Sequence, residues 1–296
     1  MQLRLTAALL ALAAGAAAVA LAALLLQSTP GPVSAALSAI APSPAPSQPA
    51  RAFPAPPSGA IVFAREDGAN ALALAVSPSS VQVSVVGQQG KGVTGLTVSV
   101  DEARATPCGA GCYRATVVHA RTVDVRVGET RWRVVVPVAR DASALVARAA
   151  RTWRALHSLA FSDRLGSDET HVVFSNWRTV APDRLAYVVR GGYSAVIVGG
   201  RRWDRAPGGR WVESPQTVPV KQPVPLWQSA TDAHVIGQTR TTWRITFYDP
   251  GTPAWFAIVV DRRSFRTLDL RMITTAHFMH ERYGAFDVPL AVEPPS

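Results

Sequence analysis

The chain is short of the residues on which most catalytic and metal chemistry depends. Its 296 residues include two cysteines, three methionines and six histidines. It contains no Gly-x-Ser-x-Gly nucleophile motif and no His-Glu-x-x-His zinc motif. These absences remove the common signatures of serine hydrolases and zinc peptidases. We therefore expect a protein that is not an enzyme.

Lysine is almost absent, although the chain is strongly basic. Only Lys91 and Lys221 are lysines, so the formal net charge of +10 comes almost entirely from arginine. Such a charge ordinarily suggests nucleic acid as a partner. No nucleic-acid-binding motif is present, however, and the arginine accompanies abundant alanine and proline as a compositional bias. We expect no nucleic-acid binding.

Charged residues are missing between Leu5 and Leu26, where the chain reads LTAALLALAAGAAAVALAALLL. A run of about 20 apolar residues can cross the roughly 30 Å of membrane hydrocarbon as a helix, and Arg4 keeps the leading side inside. The alternative is a cleaved signal peptide, whose apolar region is usually about 7 to 15 residues long. We expect residues 1–27 to anchor a single-pass cell-membrane protein with most of its chain extracytoplasmic; cleavage would make it secreted.

Residues 28–58 lack apolar periodicity and are rich in proline, alanine and serine. Proline-rich segments stay extended, at about 3.1 Å per residue. We interpret this stretch as a linker that holds the rest of the chain away from the membrane.

The two cysteines, Cys108 and Cys112, stand four residues apart in the segment PCGAGCY. In an oxidising compartment such a pair most simply forms a disulfide. The alternative is a redox or copper(I) thiolate pair, together with His119, since thiolates suit that metal.

Residues 59–139 are predicted to form a small Ig-like β-sandwich. Short runs with β-type alternation recur at spacings of roughly 10 to 15 residues and are separated by turn residues, which is typical of such a fold. In TVDVRVG, Val123, Val125 and Val127 point one way, while Asp124 and Arg126 point the other way. Period-two alternation places one face in a core and the other in water.

Residues 140–291 are predicted to form a second domain. Leu145, Ala149, Trp153 and Leu156 have helical spacing, so the segment starting at Asp141 is predicted to be an amphipathic helix. Asp141 or Ser143 would be its N-cap. A long antiparallel meander follows, interrupted by a short helix predicted near Trp227 to Ala233.

This order of elements resembles the lipoprotein-carrier fold of the LolA, LppX and RseB type, from about Asp141 to Pro289. The segment WFAIVVDRRSFRTLDLRM resembles the closing hairpin of that fold. The resemblance implies an antiparallel half-barrel with covering helices. The predicted fold class is therefore mainly β: a sandwich followed by this half-barrel (α+β), behind one N-terminal transmembrane or signal helix.

A second resemblance is to the extracytoplasmic C-terminal region of bacterial copper-resistance D-type membrane proteins. Its pieces are PCGAGCYRA, RRWDR, SPQT, TPAWF and AHFMHERY. The resemblance implies a copper-handling or copper-resistance accessory role. The chain departs from that family in lacking its multi-helix membrane portion.

Two sets of residues are candidate sites. Seven of the eight tryptophans follow residue 140. They suit either a core or an amphipathic ligand cavity. We predict a hydrophobic ligand site lined by Trp153, Leu156, Leu226 and Trp227.

The second candidate site is a cluster of soft metal ligands, formed by Met272, His277, Met279 and His280. Thioether and imidazole groups suit copper, although single methionines and histidines are also common packing residues. In a strand, His277 and Met279 would face one side and His280 the other.

Three acidic residues near Gly166, namely Asp163, Asp168 and Glu169, are interpreted as a solvated hairpin turn. The resulting functional hypothesis is a membrane-tethered extracytoplasmic protein that holds or senses a hydrophobic, lipid-like ligand in its second domain. The alternatives are copper handling and a structural or interaction module without a small ligand. No cofactor is expected unless copper binds.

Overall fold

The computed structural model describes residues 55–117, 121–216, 220–275 and 277–296. The predicted anchor at residues 1–27, most of the predicted linker and His119 lie outside the described residues. Within the described part of the chain, no helix is both long enough and apolar enough to span a membrane. The described residues are mainly β, with one α-helix.

In the described part of the chain, nine strands precede the helix: β1 Ile61–Asp67, β2 Asn70–Ser77, β3 Ser80–Val86, β4 Val98–Val100, β5 Ala103–Arg104, β6 Thr106–Gly109, β7 Cys112–Thr116, β8 Thr122–Val127 and β9 Thr130–Val135. The helix is α1 Ser143–Arg154. Eleven strands follow it: β10 Ser158–Gly166, β11 Val172–Val180, β12 Arg184–Val189, β13 Ser194–Val198, β14 Arg201–Arg205, β15 Val212–Pro215, β16 Thr231–Gln238, β17 Thr242–Asp249, β18 Ala254–Asp261, β19 Thr267–Thr274 and β20 His277–Gly284.

The first nine strands form two antiparallel sheets that share a core. Their strand orders are β1-β2-β3-β7-β6 and β5-β4-β8-β9. The predicted alternation in β8 is confirmed, because Val123, Val125 and Val127 are buried in the core between the sheets. The sandwich part of the predicted fold class is therefore confirmed, while the division into domains at residues 59–139 and 140–291 stays a prediction.

The other eleven strands form one antiparallel sheet in the order β15-β14-β13-β12-β11-β10-β20-β19-β18-β17-β16. The edge strands β15 and β16 do not pair with each other, so the sheet is open. The last strand lies at its centre, because β20 pairs with β10 on one side and β19 on the other. The open antiparallel sheet agrees with the predicted half-barrel.

Both faces of this sheet are covered in the half that contains β17, β18 and β19. We call the face that carries Phe161 and Tyr283 the inner face; α1 packs on it through Trp153. On the opposite, outer face, Tyr248, Trp255, Ile273 and Phe278 share a buried cluster with residues of β1 and β2. The hydroxyl of Thr246 also donates a hydrogen bond of 2.6 Å to the carbonyl of Val62 in β1. The sandwich therefore packs against the outer face.

The helix forms where it is predicted but is capped differently. Its N-cap residue is Ala142, which supplies no side-chain hydrogen bond. The carboxylate of Asp141 instead accepts hydrogen bonds from the N–H and the hydroxyl of Ser143, at 3.1 and 2.7 Å. The N–H of Ala142 donates a hydrogen bond of 2.9 Å to the carbonyl of Ala233 in β16. This bond fixes the start of α1 over the sheet.

The prediction of a helix near Trp227 to Ala233 is wrong. Among the described residues, one helix, α1, covers the sheet, where several covering helices were predicted. This stretch is irregular up to Ala230, and β16 begins at Thr231. Pro223 and Pro225 precede it, and proline disfavours helical conformation in the residue before it. The N–H groups of the following residues are bound by a carboxylate, as described below.

The predicted disulfide is confirmed. Cys108 in β6 and Cys112 in β7 are bonded, with Cα atoms 5.0 Å apart. A thiolate pair for copper(I) is therefore not available in this structure, because the metal ligand is the free thiolate.

Residue 92 is a glycine because its backbone packs closely against residues 110–111 of the β6–β7 hairpin. A Cβ atom at residue 92 would lie 2.1 Å from the carbonyl oxygen of Ala110. The segment is held there by a hydrogen bond of 2.9 Å from the N–H of Val93 to the carbonyl of Val85. Only glycine fits without displacing the backbone of the hairpin.

We expect Gly92→Ala to lower the free energy of unfolding by about 1 to 3 kcal/mol, as overpacking does. Gly200→Ala is the matched control, since a Cβ atom at residue 200 would meet no heavy atom within 4 Å. Urea denaturation of both variants measures the difference. Equal stability of the two would contradict the close approach.

Candidate functional site

The aromatic cluster under α1 is the centre of the inner face. Trp153 is 4% exposed and makes edge contacts with Trp227 and Tyr283, at ring-centroid distances of 5.6 and 4.6 Å. Trp227 in turn contacts Phe247 and Phe256 of the sheet, at 5.7 and 6.3 Å. Edge-to-face packing of this kind adds to the free energy gained by burying the rings. The cluster joins the helix, the segment before β16 and the sheet.

Asp249, at the end of β17, positions Trp227. Its carboxylate is completely buried and accepts hydrogen bonds from the N–H groups of Gln228 and Ser229, at 2.7 and 3.2 Å. Three further donors are the hydroxyl of Ser229, the N–H of Gly251 and the hydroxyl of Thr252. A buried carboxylate is tolerated when its lone pairs are satisfied in this way. The segment is therefore held in an irregular conformation that lays Trp227 on the inner face.

The structure brings together two of the four predicted ligand residues, Trp153 and Trp227. Leu156 follows α1 and is 5% exposed, and Leu226 is half-buried beside Trp227. A cleft of about 290 Å³ lies between α1 and residues 227–230. Its lining includes Val146, Ala150 and Trp227. Whether these residues bind a ligand stays a prediction.

A larger groove, of about 720 Å³, crosses β10, β11, β12 and β20. Its lining includes the small residues Ala160 and Gly284 and the exposed Arg178 and Arg282. A Cβ atom on Gly284 would meet no heavy atom within 4 Å, so the groove is open at that point. A hydrophobic molecule lying there would keep one side in water.

Two buried carboxyl groups, which the sequence analysis missed, face each other on the inner face. Asp163 in β10 is 5% exposed and Glu281 in β20 is 2% exposed, and their Cα atoms are partners across the two strands. The interpretation of Asp163 as part of a solvated turn is therefore wrong, whereas Asp168 and Glu169 do lie outside the strands and near the turn. Counting in twos from Leu159 and Phe161 would have placed Asp163 on the apolar face.

The hydrogen bonds around this pair are incomplete. Trp177 Nε1 donates to Ser175 Oγ at 2.7 Å, and Ser175 Oγ donates to Asp163 Oδ2 at 3.4 Å. The hydroxyl of Tyr283 donates to Glu281 Oε2. The other oxygen of Asp163, Oδ1, is buried without a hydrogen-bond partner.

Burial shifts the protonation of both groups. Removal from water raises the pKa of Asp163 to about 7, against a weaker opposing effect of the Ser175 hydroxyl. Burial also raises the pKa of Glu281 well above its usual value, and the nearby charge of Asp163 adds to the effect. Two carboxylates this close in an apolar setting cannot both ionise easily. The pair therefore keeps at least one proton near neutral pH.

The predicted metal residues fall on two faces, as expected for a strand. Met272 in β19 and Met279 in β20 are Cα partners, and both side chains are buried. His277 lies two residues from Met279 and so shares its face, the inner one. His280 lies on the other face, where its Nε2 donates a hydrogen bond of 2.8 Å to Asp269. His280 is thereby separated from the other three.

The protonation of His277 leaves one ring nitrogen free for a metal. Its Nδ1 lies 3.2 Å from the carbonyl oxygen of Thr275. A carbonyl only accepts, so Nδ1 carries the proton and Nε2 keeps its lone pair. Burial lowers the pKa of this imidazole, which favours the neutral form. Within the described residues, no three His, Cys, Asp or Glu side chains group as metal ligands, so such a site would depend on the methionines.

Fold and site together define a mainly β chain whose open antiparallel sheet carries an aromatic inner face under one helix. No family model matches the chain, and no curated protein matches it. Among solved structures, it is similar to LprF from Mycobacterium bovis, with a TM-score of 0.37, 7% identity, and coverage of 52% of this chain and 97% of that chain. It is also similar to a LolA superfamily protein from Nitrosomonas europaea, with a TM-score of 0.24, 7% identity, and coverage of 52% and 96%.

Likenesses at these TM-scores carry no argument about this chain; the fold class rests on the observed strand pairing. The second structure belongs to the superfamily that the order of elements resembles. The resemblance to copper-resistance D-type proteins stays a prediction.

We expect Asp163→Asn to stabilise the protein increasingly as the pH rises. The pKa of Asp163 is raised on folding, so its contribution to stability is fully present below about pH 4 and is lost as the pH rises towards 7. The stability difference between variant and parent should therefore grow by a few kcal/mol between pH 4 and pH 8.

Urea denaturation of parent and variant across this pH range measures that difference. Glu129→Gln, which removes an exposed carboxylate from the β8–β9 turn, is the control. An Asp163→Asn difference that stays constant with pH would contradict the raised pKa.

Proposed function

We propose that this chain is an extracytoplasmic, membrane-tethered binding protein that holds a hydrophobic, lipid-like ligand and catalyses no reaction. The observation that carries the proposal is the cleft of about 290 Å³ between α1 and residues 227–230, whose lining combines apolar residues, including Val146 and Trp227, with polar ones, including Arg151 and Gln228. Ligand sites are typically concave, mostly apolar and at least this large. In this proposal the site belongs to a second domain, residues 140–291.

The compartment is part of the proposal. The apolar run from Leu5 to Leu26 is suited to insert in a membrane. The bond between Cys108 and Cys112 is typical of an oxidising compartment. An extracytoplasmic site would meet lipids or other hydrophobic molecules at the membrane from which the chain is tethered.

Ala147→Trp tests the site directly. Ala147 is an exposed residue of α1 that lines the cleft, so an indole there should fill it. We expect the affinity for the neutral probe N-phenyl-1-naphthylamine to fall by about tenfold or more, because the volume of the cleft is already at the lower end of the range of ligand sites. Fluorescence titration of the purified protein measures the affinity.

Ala144→Trp is the matched control, because Ala144 is exposed on the same helix and does not line the cleft. Mass spectrometry of organic extracts of the parent protein provides an independent readout. A parent protein that yields no extracted lipid and does not bind the probe would contradict the proposal and favour a structural or interaction module.

A second candidate function is copper(I) binding by Met272, Met279 and His277. The observation that favours it is the direct pairing of the two methionines, with the free Nε2 of His277 on the same face. Thioether and neutral imidazole groups are ligands that copper(I) accepts. His280 is left out of this site because it faces the other way and binds Asp269.

We expect the double variant Met272→Leu, Met279→Leu to lose copper(I) affinity by about tenfold or more. Even groups that only orient a ligand are typically worth about 10- to 100-fold, and leucine keeps the buried volume. Competition with a colorimetric copper(I) chelator measures the affinity. His280→Gln is the control and should leave it unchanged; an equal loss in that variant, or no loss in the double variant, would remove this site.

A further inference from the structure

The larger groove, of about 720 Å³, lies on the outer face of the large sheet. Four inner-face residues, Phe161, Trp177, Tyr187 and Tyr283, are Cα partners across neighbouring strands. The groove is lined by the positions on either side of each: 160 and 162, 176 and 178, 186 and 188, and 282 and 284. Successive side chains of a strand point to opposite faces. The groove is therefore separated by the sheet from the aromatic cluster and the cleft beside α1.

Two other parts of the chain border the groove on this face. Arg164, two residues along β10 from the groove, forms an ion pair of 3.1 Å with Glu66 of the sandwich. Val292, after β20, packs in a buried cluster with Ala186. Ala186 also lines the groove. The groove is thus a recess between the sandwich and the segment after β20, into which a single molecule can fit.

The charge of the groove is positive. Its described lining includes the exposed Arg178 and Arg282 and no acidic residue. Arg178 forms no hydrogen bond or ion pair with another described residue. Arg282 Nε lies 3.8 Å from Asp269, which is longer than a hydrogen bond, and Asp269 already binds His280 at 2.8 Å. Both guanidinium groups therefore keep donors for an anion.

The two arginines stand on the two strands that flank β10. Arg178 is the Cα partner of Ala160, and Arg282 is the Cα partner of Ser162. Strand spacing and rise place their Cα atoms roughly 12 Å apart, so two long side chains can converge above β10, where Ala160 adds little bulk. The hydroxyl of Ser162 and the side-chain amide of its Cα partner Asn176 supply further donors between them.

This arrangement of donors suits a phosphate monoester. Guanidinium groups form paired, charge-assisted hydrogen bonds with phosphate. A phosphate monoester carries close to two negative charges at neutral pH and has three strong acceptor oxygens, which match two guanidinium groups. The groove also has an apolar part that includes Val188, whose side chain is 46% exposed. The substituent of the ester should therefore be apolar.

We propose that the groove on the outer face binds a phosphate monoester with an apolar substituent. Arg178 and Arg282 donate to the phosphate oxygens from either side of β10. Ser162 and Asn176 donate from between them, and the substituent lies against Val188. Small phosphorylated molecules and lipids with a phosphate monoester head share this chemistry. The site goes beyond the proposed function, because it lies on the other face of the sheet from the cleft.

Isothermal titration calorimetry of the purified full chain tests the ligand class, at about 0.15 M salt to screen distant charges. The probes are 1-naphthyl phosphate, inorganic phosphate and 1-naphthol. We expect 1-naphthyl phosphate to bind about tenfold more tightly than either of the others, because it alone combines the charge with an apolar body. Equally tight binding of inorganic phosphate or of 1-naphthol, or no binding of 1-naphthyl phosphate, would overturn the inference.

Dihexanoyl phosphatidic acid, a water-soluble lipid, distinguishes the two sources of the phosphate. Dihexanoyl phosphatidylcholine, whose phosphate is a diester, is its control and should not bind. Tighter binding of the phosphatidic acid than of 1-naphthyl phosphate would support the inference with a lipid as ligand. The reverse order would support it with a small phosphorylated molecule as ligand.

Three variants assign the contacts. Arg178→Gln and Arg282→Gln should each weaken 1-naphthyl phosphate binding by about tenfold, since each removes charge-assisted hydrogen bonds. Gly284→Leu should weaken it similarly without changing the charge, because a Cβ atom at residue 284 meets no heavy atom within 4 Å and the longer side chain would fill the groove. Arg244→Gln is the matched control, since Arg244 is an exposed arginine of β17 that does not line the groove.

The outcomes separate this inference from the proposed function. Unchanged affinity in the three groove variants, or an equal loss in Arg244→Gln, would overturn the inference. Ala147→Trp, which fills the cleft beside α1, should leave 1-naphthyl phosphate binding unchanged; a loss in that variant would place the ligand in the cleft and also overturn it. If 1-naphthyl phosphate binds as expected and N-phenyl-1-naphthylamine does not bind, only the proposed function falls.

Discussion

The half of the large sheet that contains β17, β18 and β19 is organised by the need to bury both of its faces. Its strands alternate side chains between an inner face under α1 and an outer face against β1 and β2. A sheet with one face in water would carry polar residues at every second position. Here Ile245 and Phe247 point inward, while Thr246 and Tyr248 between and beside them are buried on the outer side. The helix, the irregular segment around Trp227 and the sandwich are therefore all required to shield one sheet.

Two buried aspartates, Asp249 and Asp163, differ in how fully their carboxyl oxygens are hydrogen-bonded. Asp249 accepts five hydrogen bonds and holds the backbone around Trp227. Asp163 has one long hydrogen bond and one unpaired oxygen. A satisfied buried carboxylate stabilises a conformation, whereas an unsatisfied one is costly and is more often retained at functional sites. Asp249 thus fixes the backbone before β16, whereas Asp163 keeps one buried oxygen without a hydrogen-bond partner.

The position of the last strand explains why the inner site depends on the whole chain. Strand β20 pairs with β10, so the end of the meander closes against its beginning. This pairing places Glu281 opposite Asp163 and Tyr283 beside the ring of Trp153. Met279 enters the same face through its pairing with Met272. The aromatic cluster and the carboxyl pair are therefore made by residues that are distant in sequence, whereas Met272 and Met279 belong to one hairpin.

Local signals in the sequence were sufficient for the alternation in β8, for α1 and for the disulfide. The alternation around Val123, the helical spacing around Trp153 and the short separation of Cys108 and Cys112 all act within a few residues, where the geometry of the chain is regular. The helix near Trp227 was predicted wrongly, because its backbone is bound by Asp249 from another strand. The burial of Asp163 was missed, because a charged residue beside a glycine resembles a turn until its strand register is known. Which side chains meet on the inner face was decided only by the tertiary structure, since strand order and register depend on contacts between residues far apart in the chain.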